Sequence, residues 1–256
     1  MSSTKDLSKR QMRREQMRRK EARGRWVGIG MMIAGALAVA AMVVWPQVKP
    51  ITGIVSVELN PRPQADANHM GNPEATVKLV EYSDYQCPFC EKFSSETEPL
   101  LVETYIATGK VYFTYRSTGN WVSTNIGRGS TESEDAAKAA YCAGDQNKYW
   151  EMHDMLFANV LGEDVGSFVD RRLAAIAEKA GLDMNQYNDC YSGGKYDDIV
   201  FQDGKDALTA GVQGTPSFVM TYVNASGEAV TELIEGAHPF SVFQEKIDAA
   251  LAAAGQ

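Results

Sequence analysis

The sequence predicts an α/β domain with the element order βαβ, a helical insertion and ββα, preceded by one transmembrane helix. Three observations lead to this fold class. A long uncharged run follows a basic N-terminus, short β-branched segments occur near residues 80 and 220, and helical periodicity fills the region between them. The chain of 256 residues is long enough for one large domain that carries such an insertion.

The charge is unevenly distributed along the chain. Residues 1–25 contain ten Lys or Arg and three Asp or Glu, and residues 26–45 contain none of these. Since the whole chain has a net charge of −8, residues 46–256 carry −15. Nucleic-acid binding depends on clustered cations that displace counterions from phosphates. We therefore expect no nucleic-acid partner.

The uncharged run from Trp26 to Trp45 predicts a single transmembrane helix. Twenty residues at ~1.5 Å each reach about 30 Å, the thickness of a hydrocarbon core. A Trp at each end suits the two interfaces, and the basic tip 1–25 should remain in the cytoplasm. A cleaved signal peptide is the alternative, with Ala36–Ala38 or Ala38–Ala40 as its cleavage site. The apolar run continues past both sites, which favours a single-pass membrane anchor, and either interpretation makes the C-terminal body extracytoplasmic.

Residues 46–74 are rich in Pro, Asn and Gly and are interpreted as a linker. One short apolar segment within them, Ile51–Leu59, is the only candidate strand. As a flexible coil of ~30 residues, the linker would span on the order of 30 Å and keep the body near the bilayer. The globular body is expected to occupy residues 75–253.

The body is predicted to begin with two parallel strands connected by a helix. A strand over residues 75–82, a helix over 91–107 and a strand over 110–116 have the spacing of a βαβ unit. The helical insertion should span about residues 131–210, with Thr131 and Glu134 as a capping box at its start. The insertion's helices are predicted over 135–157, 167–180, 184–190 and 196–210, followed by strands 217–223 and 229–234 and a last helix over 239–253.

The motif Cys87-Pro88-Phe89-Cys90 lies where the first strand ends and the first helix begins. The free N–H groups at a helix start favour an anion and lower a thiol pKa. Pro88 fits the first helical turn, where its missing N–H costs no hydrogen bond. We therefore predict a thiol–disulfide oxidoreductase in which Cys87 exchanges with substrate and Cys90 resolves the mixed disulfide.

Two other positions are predicted to support the cysteine pair. Glu81, six residues before Cys87 in an apolar strand, is expected to be a buried proton acceptor for Cys90 that acts through water. The alternative is an edge-strand carboxylate in solvent. In Gly214-Thr215-Pro216, a cis peptide bond would place the Thr215 backbone against the cysteines, although the sequence alone does not establish that isomer.

The remaining cysteines, Cys142 and Cys190, both fall in predicted helices of the insertion. In an exported protein they are expected to form a structural disulfide. A second redox pair and two buried free thiols are the alternatives. Zinc held by all four cysteines would leave Pro88 and Glu81 without a purpose, so no metal site is expected. His153 is interpreted as a packing or capping residue.

Three motifs together resemble the DsbA-like branch of the thioredoxin superfamily. They are Glu81–Cys90, Cys142–Asp154 followed by Leu156-Phe157, and Val212–Phe218, and the resemblance covers roughly residues 72–251. It implies a thioredoxin fold with a helical insertion and oxidation of exported proteins without a cofactor. It also implies Pro216 as a cis proline, Glu81 as the buried acid, and a membrane quinone-linked reoxidase as partner.

One residue departs from the family pattern. The best-known oxidases have Pro-His between the cysteines, whereas Phe89 supplies neither a cation nor a dipole, so we expect a less oxidising protein. A disulfide reductase or isomerase on the same fold remains an alternative. A non-catalytic or metal-holding binding module is a further one. Unfolded exported proteins are expected to dock near Thr215-Pro216, with Phe89 and Phe218 either lining that groove or belonging to the core.

Overall fold

The computed structural model describes residues 3–256, which form two units. The first ends at Pro50 and the second is Ile51–Gln256. Residues 1–2, the beginning of the predicted basic tip, lie outside the described residues.

The first unit contains one long helix, α1 (Ser3–Val48). Its segment Lys9–Trp45 includes an 18-residue window with a mean hydropathy of 2.4, which is long and apolar enough to cross a membrane. A signal sequence satisfies the same criteria. The predicted span 26–45 lies inside α1, and the helix extends towards the N-terminus through the basic residues.

The second unit is built on a mixed five-stranded sheet with the strand order β1-β3-β2-β4-β5. Strands β2 and β3 are parallel, and every other neighbouring pair is antiparallel. This arrangement confirms the predicted βαβ and ββα units. The strands are β1 (His69–Met70), β2 (Val77–Ser83), β3 (Val111–Ser117), β4 (Ser217–Val223) and β5 (Ala229–Glu235).

Within residues 51–256, nine further helices surround the sheet or form the insertion between β3 and β4. They are α2 (Pro88–Glu96), α3 (Glu98–Leu101) with a π-helical turn (Val102–Ile106), α4 (Trp121–Ile126), α5 (Glu132–Gly144), α6 (Tyr149–Ala158), α7 (Asp170–Lys179), α8 (Met184–Ser192), α9 (Asp197–Thr209) and α10 (Phe240–Ala253). The insertion therefore starts at α4, about ten residues before the predicted boundary.

Two predicted helices are interrupted in the structure. The helix expected over 91–107 divides at Thr97, and Pro99 in the first turn of α3 has no N–H to continue the hydrogen-bond ladder. The helix expected over 135–157 ends at Gly144, and Asn147 then adopts a left-handed conformation with φ +57°. Both breaks are local, so the order of elements is unchanged.

The predicted capping box at the start of α5 is wrong. The Thr131 hydroxyl donates to the carboxylate of Asp135 at 2.6 Å and caps no backbone N–H. The N–H of Glu134 is bound by Oδ1 of Asn120, at 3.1 Å. A residue from the loop after β3 thus takes the place that the local pattern assigned to Thr131.

The hydrophobic core lies between the sheet and the helices packed on it. Phe93 of α2, Phe218 of β4 and Phe243 of α10 form an aromatic cluster, with ring centroids 4.5–5.5 Å apart. Such offset and edge-on contacts add to the free energy gained by burial. Phe218 is therefore a core residue and does not line a groove.

The segment after Ile51 is not a free tether, contrary to prediction. Residues 51–59 contain no strand in the structure, but they pack along the insertion. The backbone N–H of Val55 donates to Asn159 Oδ1 at 2.9 Å, and Asn159 Nδ2 donates to the Val55 carbonyl at 3.0 Å. Burial of Ile54 and Val57 against the core explains why the segment is ordered.

Arg62 attaches this segment to α3 and α6. Its guanidinium binds the carboxylates of Glu98 and Asp154 and stacks on Trp150, 4.5 Å from the ring centroid. All of these side chains are largely buried. Buried ion pairs of this kind leave a costly unpaired charge when one partner is removed.

A disulfide joins Cys142 of α5 to Cys190 of α8, with the Cα atoms 5.8 Å apart. It connects two helices of the insertion across 48 positions of sequence. A crosslink of this length typically stabilises a fold by about 2–4 kcal/mol.

Replacing Arg62 by leucine should lower the free energy of unfolding by about 3–5 kcal/mol, because Glu98 and Asp154 would remain buried without their cation. Urea unfolding of the full chain in detergent, followed by tryptophan fluorescence, measures the change. The matched control is Lys195→Met, which removes an exposed pair with Asp145 and should leave the midpoint unchanged. Equal midpoints for the Arg62 variant and wild type would contradict the prediction.

Candidate active site

The two free cysteines lie at the junction between the central strand and the helix that follows it. Strand β2 ends at Ser83, and α2 begins at Pro88 with Cys87 in the extended N-cap position. The N–H groups of Cys90 and Glu91 bond to the Cys87 carbonyl at 3.0 and 3.1 Å. These bonds open α2 directly after Cys87, so the Cys87 side chain lies at the N-terminus of that helix.

The Cys87 thiol is 6% exposed and faces the loop before β4. Its Sγ lies 3.4 Å from the carbonyl oxygen of Thr215, and the Thr215–Pro216 peptide bond is cis. The pKa of Cys87 is lowered to about 7, chiefly by a hydrogen bond from the Cys90 thiol. Burial opposes this, while the Thr215 side chain and the N–H groups of Cys90 and Phe89 lower the pKa further.

Cys90 has the opposite character. Its side chain is inaccessible to solvent, and burial raises the pKa of this thiol well above its ordinary value. The neighbouring charges of Cys87 and Glu81 act in the same direction. The pair therefore has one acidic sulfur at the helix start and one fully buried sulfur that stays protonated, which is the asymmetry that thiol exchange through a mixed disulfide requires.

Glu81 is a buried acid in the middle of β2. It is 1% exposed, which excludes the alternative of a carboxylate in solvent. Among residues 3–256, neither carboxylate oxygen has a hydrogen-bond partner. Desolvation raises the pKa of Glu81 to about 8, and the nearby Ser83 hydroxyl and then the charge of Arg62 only partly oppose it. At neutral pH this side chain can therefore hold and release a proton close to Cys90.

Phe89, between the two cysteines, is 63% exposed. It supplies an apolar surface beside the Cys87 sulfur and no charge. The structure thus brings together Cys87, Cys90, Glu81, Pro88, Phe89, Thr215 and Pro216, all of which the sequence analysis selected.

Other residues that contact or act on the site were missed. Arg62 comes from the segment interpreted as linker, and Asp84 and Gln86 are buried polar residues immediately before Cys87. The only indication of Asp84 and Gln86 in the sequence was that two polar side chains follow directly after an apolar strand. His153, interpreted as a packing residue, is fully buried among aromatic rings, and burial lowers its pKa well below the ordinary value.

A protein-family model described as thioredoxin matches residues 64–236, which is most of the second unit. The chain belongs to the thioredoxin family. The match includes the cysteine pair, the whole helical insertion and the cis proline, so these features lie within the family's domain.

Curated relatives of this thioredoxin-family chain differ in overall organisation. The Na(+)/H(+) antiporter NhaA 1 of Salinispora arenicola is 30% identical over 154 residues, covering 60% of this chain and 21% of the antiporter. The chain thus spans about a fifth of that relative's length. The probable disulfide bond formation protein D of Bacillus cereus is 29% identical over 160 residues, covering 61% of this chain and 69% of that protein.

A solved structure confirms the fold of this thioredoxin-family chain. The crystal structure of alpha-DsbA1 from Wolbachia pipientis superposes with a TM-score of 0.62 at 22% identity, covering 77% of this chain and 95% of that one. The predicted fold class, a thioredoxin fold with a helical insertion, is therefore confirmed.

The disulfide in the insertion excludes a zinc site formed by all four cysteines of this thioredoxin-family chain. Because Cys142 and Cys190 are bonded to each other, they cannot ligate zinc together with Cys87 and Cys90. The hypothesis of a four-cysteine zinc site is contradicted by that bond.

Glu81→Gln should reduce the pH dependence of stability in the reduced protein. Folded Glu81 keeps its proton up to about pH 8, whereas the unfolded chain releases it near 4.5, so stability falls as pH rises between these values. This loss amounts to about 3 kcal/mol by pH 7 and is absent in the glutamine variant. Urea unfolding between pH 5 and 7.5 measures it, with the exposed Glu91→Gln as control. Parallel pH profiles for wild type and Glu81→Gln would refute the assignment.

Cys87 should be the first thiol to react, with alkylation rising through a midpoint near pH 7. Thr215→Val removes one hydrogen bond to the thiolate and should slow alkylation at pH 6 by about threefold or more. Rates with iodoacetamide, mapped by mass spectrometry, give the result, and Thr221→Val on β4 is the control. A midpoint near that of free cysteine would contradict the proposed thiolate stabilisation.

Proposed function

We propose that the chain is a membrane-anchored thiol–disulfide oxidoreductase that introduces disulfides into exported proteins, with Cys87 and Cys90 as its redox pair. The observation that carries this proposal is the contrast between the two thiols. Cys87 is acidic and faces Thr215, whereas Cys90 behind it is fully buried and stays protonated. Pro88 supports the helix start, and Pro216 holds the facing loop.

The exchange is proposed to begin from the Cys87–Cys90 disulfide. A substrate thiolate attacks the Cys87 sulfur and forms a mixed disulfide, while the Cys90 sulfur leaves with the bonding electron pair and takes a proton that Glu81 supplies through water. A second substrate thiolate then attacks the substrate sulfur of the mixed disulfide and releases Cys87 as a thiolate. Two electrons pass from the substrate dithiol to the pair, and the substrate gains one disulfide.

The acidity of Cys87 favours the oxidising direction. A stabilised thiolate makes the reduced pair more stable and the disulfide correspondingly easier to reduce. It also makes Cys87 a better leaving group in the second step. The name of the Bacillus cereus relative, a probable disulfide bond formation protein, supports the same direction.

A reductase or isomerase is the second candidate, and Phe89 is the observation that favours it. The side chain is exposed and uncharged, so the thiolate receives no help from a neighbouring cation. We therefore propose a disulfide less oxidising than that of the strongest oxidases of this fold.

The N-terminal helix supports a location at the cell membrane. We propose that the basic residues 1–25 remain cytoplasmic, that residues 26–45 span the bilayer, and that residues 51–256 are extracytoplasmic. Unfolded exported proteins are the proposed substrates, and they would meet the exposed Phe89, which follows Cys87 by two positions, and the Thr215 carbonyl that Cys87 contacts. A membrane quinone-linked reoxidase is proposed to take the two electrons and restore the disulfide. The buried Cys142–Cys190 bond is assigned a structural role.

The Cys90→Ser variant should trap a mixed disulfide between Cys87 and an oxidised, unfolded protein, because the Cys87 thiolate displaces one sulfur of the substrate disulfide as a thiolate and the resolving thiol is missing. Cys87→Ser should trap none. Non-reducing electrophoresis followed by mass spectrometry detects the adduct. The double variant Cys142→Ala/Cys190→Ala is the control and should leave exchange at Cys87 intact.

The net redox direction of the Cys87–Cys90 pair is tested by measuring its reduction potential, with the wild-type full chain equilibrated in glutathione buffers. We expect a potential between about −270 mV, the thioredoxin value, and about −120 mV, the DsbA value. A potential at or below the lower limit, together with reduction of insulin, would make the chain a reductase. Absence of any Cys87 adduct in Cys90→Ser would refute the enzyme and favour a binding module.

A further inference from the structure

The loop between β2 and α2, residues 84–87, is called the redox loop. It contains two buried polar side chains that the exchange chemistry does not use. Asp84 and Gln86 are each 1% exposed and directly precede Cys87. Buried polar groups cost free energy unless they are hydrogen-bonded. Their partners lie within the loop itself and in the helical insertion.

Asp84 connects the redox loop to the starts of two helices. Its Oδ1 accepts hydrogen bonds from the Gln86 N–H at 2.9 Å and the Ser133 hydroxyl at 2.7 Å, and Oδ2 accepts from the Val122 N–H at 3.0 Å. Val122 and Ser133 lie in the first turns of α4 and α5. The backbone carbonyl of Asp84 also accepts the Cys87 N–H, at 3.0 Å. One residue thus holds both the insertion and the cysteine backbone.

Gln86 extends the connection to the loop between α6 and α7. Its Oε1 accepts the Asp164 N–H at 2.6 Å, and its Nε2 donates to Asp164 Oδ1 at 3.1 Å and Ser133 Oγ at 2.8 Å. The Ser123 hydroxyl donates to the same Asp164 oxygen at 2.6 Å. Asp164 itself has a left-handed backbone, with φ +51°. Three separate segments of the insertion therefore meet at the residues before Cys87.

The position of this loop matters because backbone N–H groups next to Cys87 interact with its sulfur. Charge-assisted hydrogen bonds weaken steeply as distance and angle depart from their optimum. We propose that Asp84 and Gln86 are positioning residues, which hold the redox loop in register with the helical insertion so that the amides at the start of α2 face the Cys87 sulfur. This inference rests on the proposed exchange chemistry at Cys87.

A merely structural role for the network would change stability and leave the thiol unchanged. Glu132 provides a matched control for that distinction. Its carboxylate accepts the N–H groups of Gly166 and Phe168 at 3.0 and 2.8 Å. It therefore holds the other end of the loop that contains Asp164 and is not bonded to the redox loop.

The test compares Gln86→Leu, Asp164→Gly and Glu132→Gln in the reduced full chain. Gln86→Leu removes the bonds to Asp164 and Ser133, and Asp164→Gly removes the carboxylate while glycine keeps the left-handed backbone without strain. Both should raise the pKa of Cys87 by roughly 0.5, a loss of about threefold in the ratio of thiolate to thiol. Glu132→Gln should lower the stability and leave that pKa unchanged. Thiolate ultraviolet absorbance against pH gives the pKa, and urea unfolding reports the stability.

The inference would be overturned if Cys87 kept its wild-type pKa in both Gln86→Leu and Asp164→Gly. It would also be overturned if the pKa of Cys87 rose by the same amount in Glu132→Gln. If Gln86→Leu does not fold, Asp164→Gly decides alone. The proposed function is judged separately, by whether wild-type Cys87 and Cys90 form a disulfide in glutathione buffer. Because the pKa is measured on the dithiol, either hypothesis can fail while the other stands.

Discussion

The chemistry of this protein depends on one junction, where the central strand β2 ends and α2 begins. An N-cap residue sits among backbone N–H groups that have no partner within the helix, and here that residue is Cys87. One helical turn later the chain is already inside the core, which places Cys90 out of solvent. The two-residue spacing therefore produces two thiols of different acidity from a single change of backbone direction. The buried acid, the cis proline and the insertion all act on this junction.

The region behind the junction contains more buried charge than stability alone would favour. Glu81 has no hydrogen-bond partner among residues 3–256, and Arg62 forms ion pairs with Glu98 and Asp154 in the interior. Replacing such groups by packed apolar residues is often neutral or stabilising. Their presence is explained if the site needs a proton near Cys90 and a cation that prevents the pKa of Glu81 from rising further. A cost in stability is common at sites whose acids and bases work with shifted pKa values.

The parts that could be predicted from the sequence are those whose determinants are local. The β-branched strand, the proline in the first helical turn and the C-x-x-C spacing act within a few residues, so β2 and the position of the cysteine pair at a helix start were predicted correctly. Two of the errors, at the cap of α5 and in the segment after Ile51, involve partners outside the segment concerned. Asn120 replaces Thr131 as the cap of α5, and the segment after Ile51 is ordered by contacts with residues about a hundred positions later. A pattern in one segment contains no information about such a partner, because only the folded chain brings the two together.

Because Phe89 is uncharged, the acidity of Cys87 depends on the exact position of the loop that precedes it. A cation next to a thiolate acts over several ångströms and tolerates small displacements, since Coulomb energy falls only with the inverse of distance. Phe89 supplies no such charge, so the Cys87 anion relies on hydrogen bonds from Cys90, Thr215 and the helix amides. These contacts are short-range and directional. A thiolate stabilised in this way needs a rigidly placed backbone, and the buried carboxylate and amide of Asp84 and Gln86 provide one directly before the cysteine.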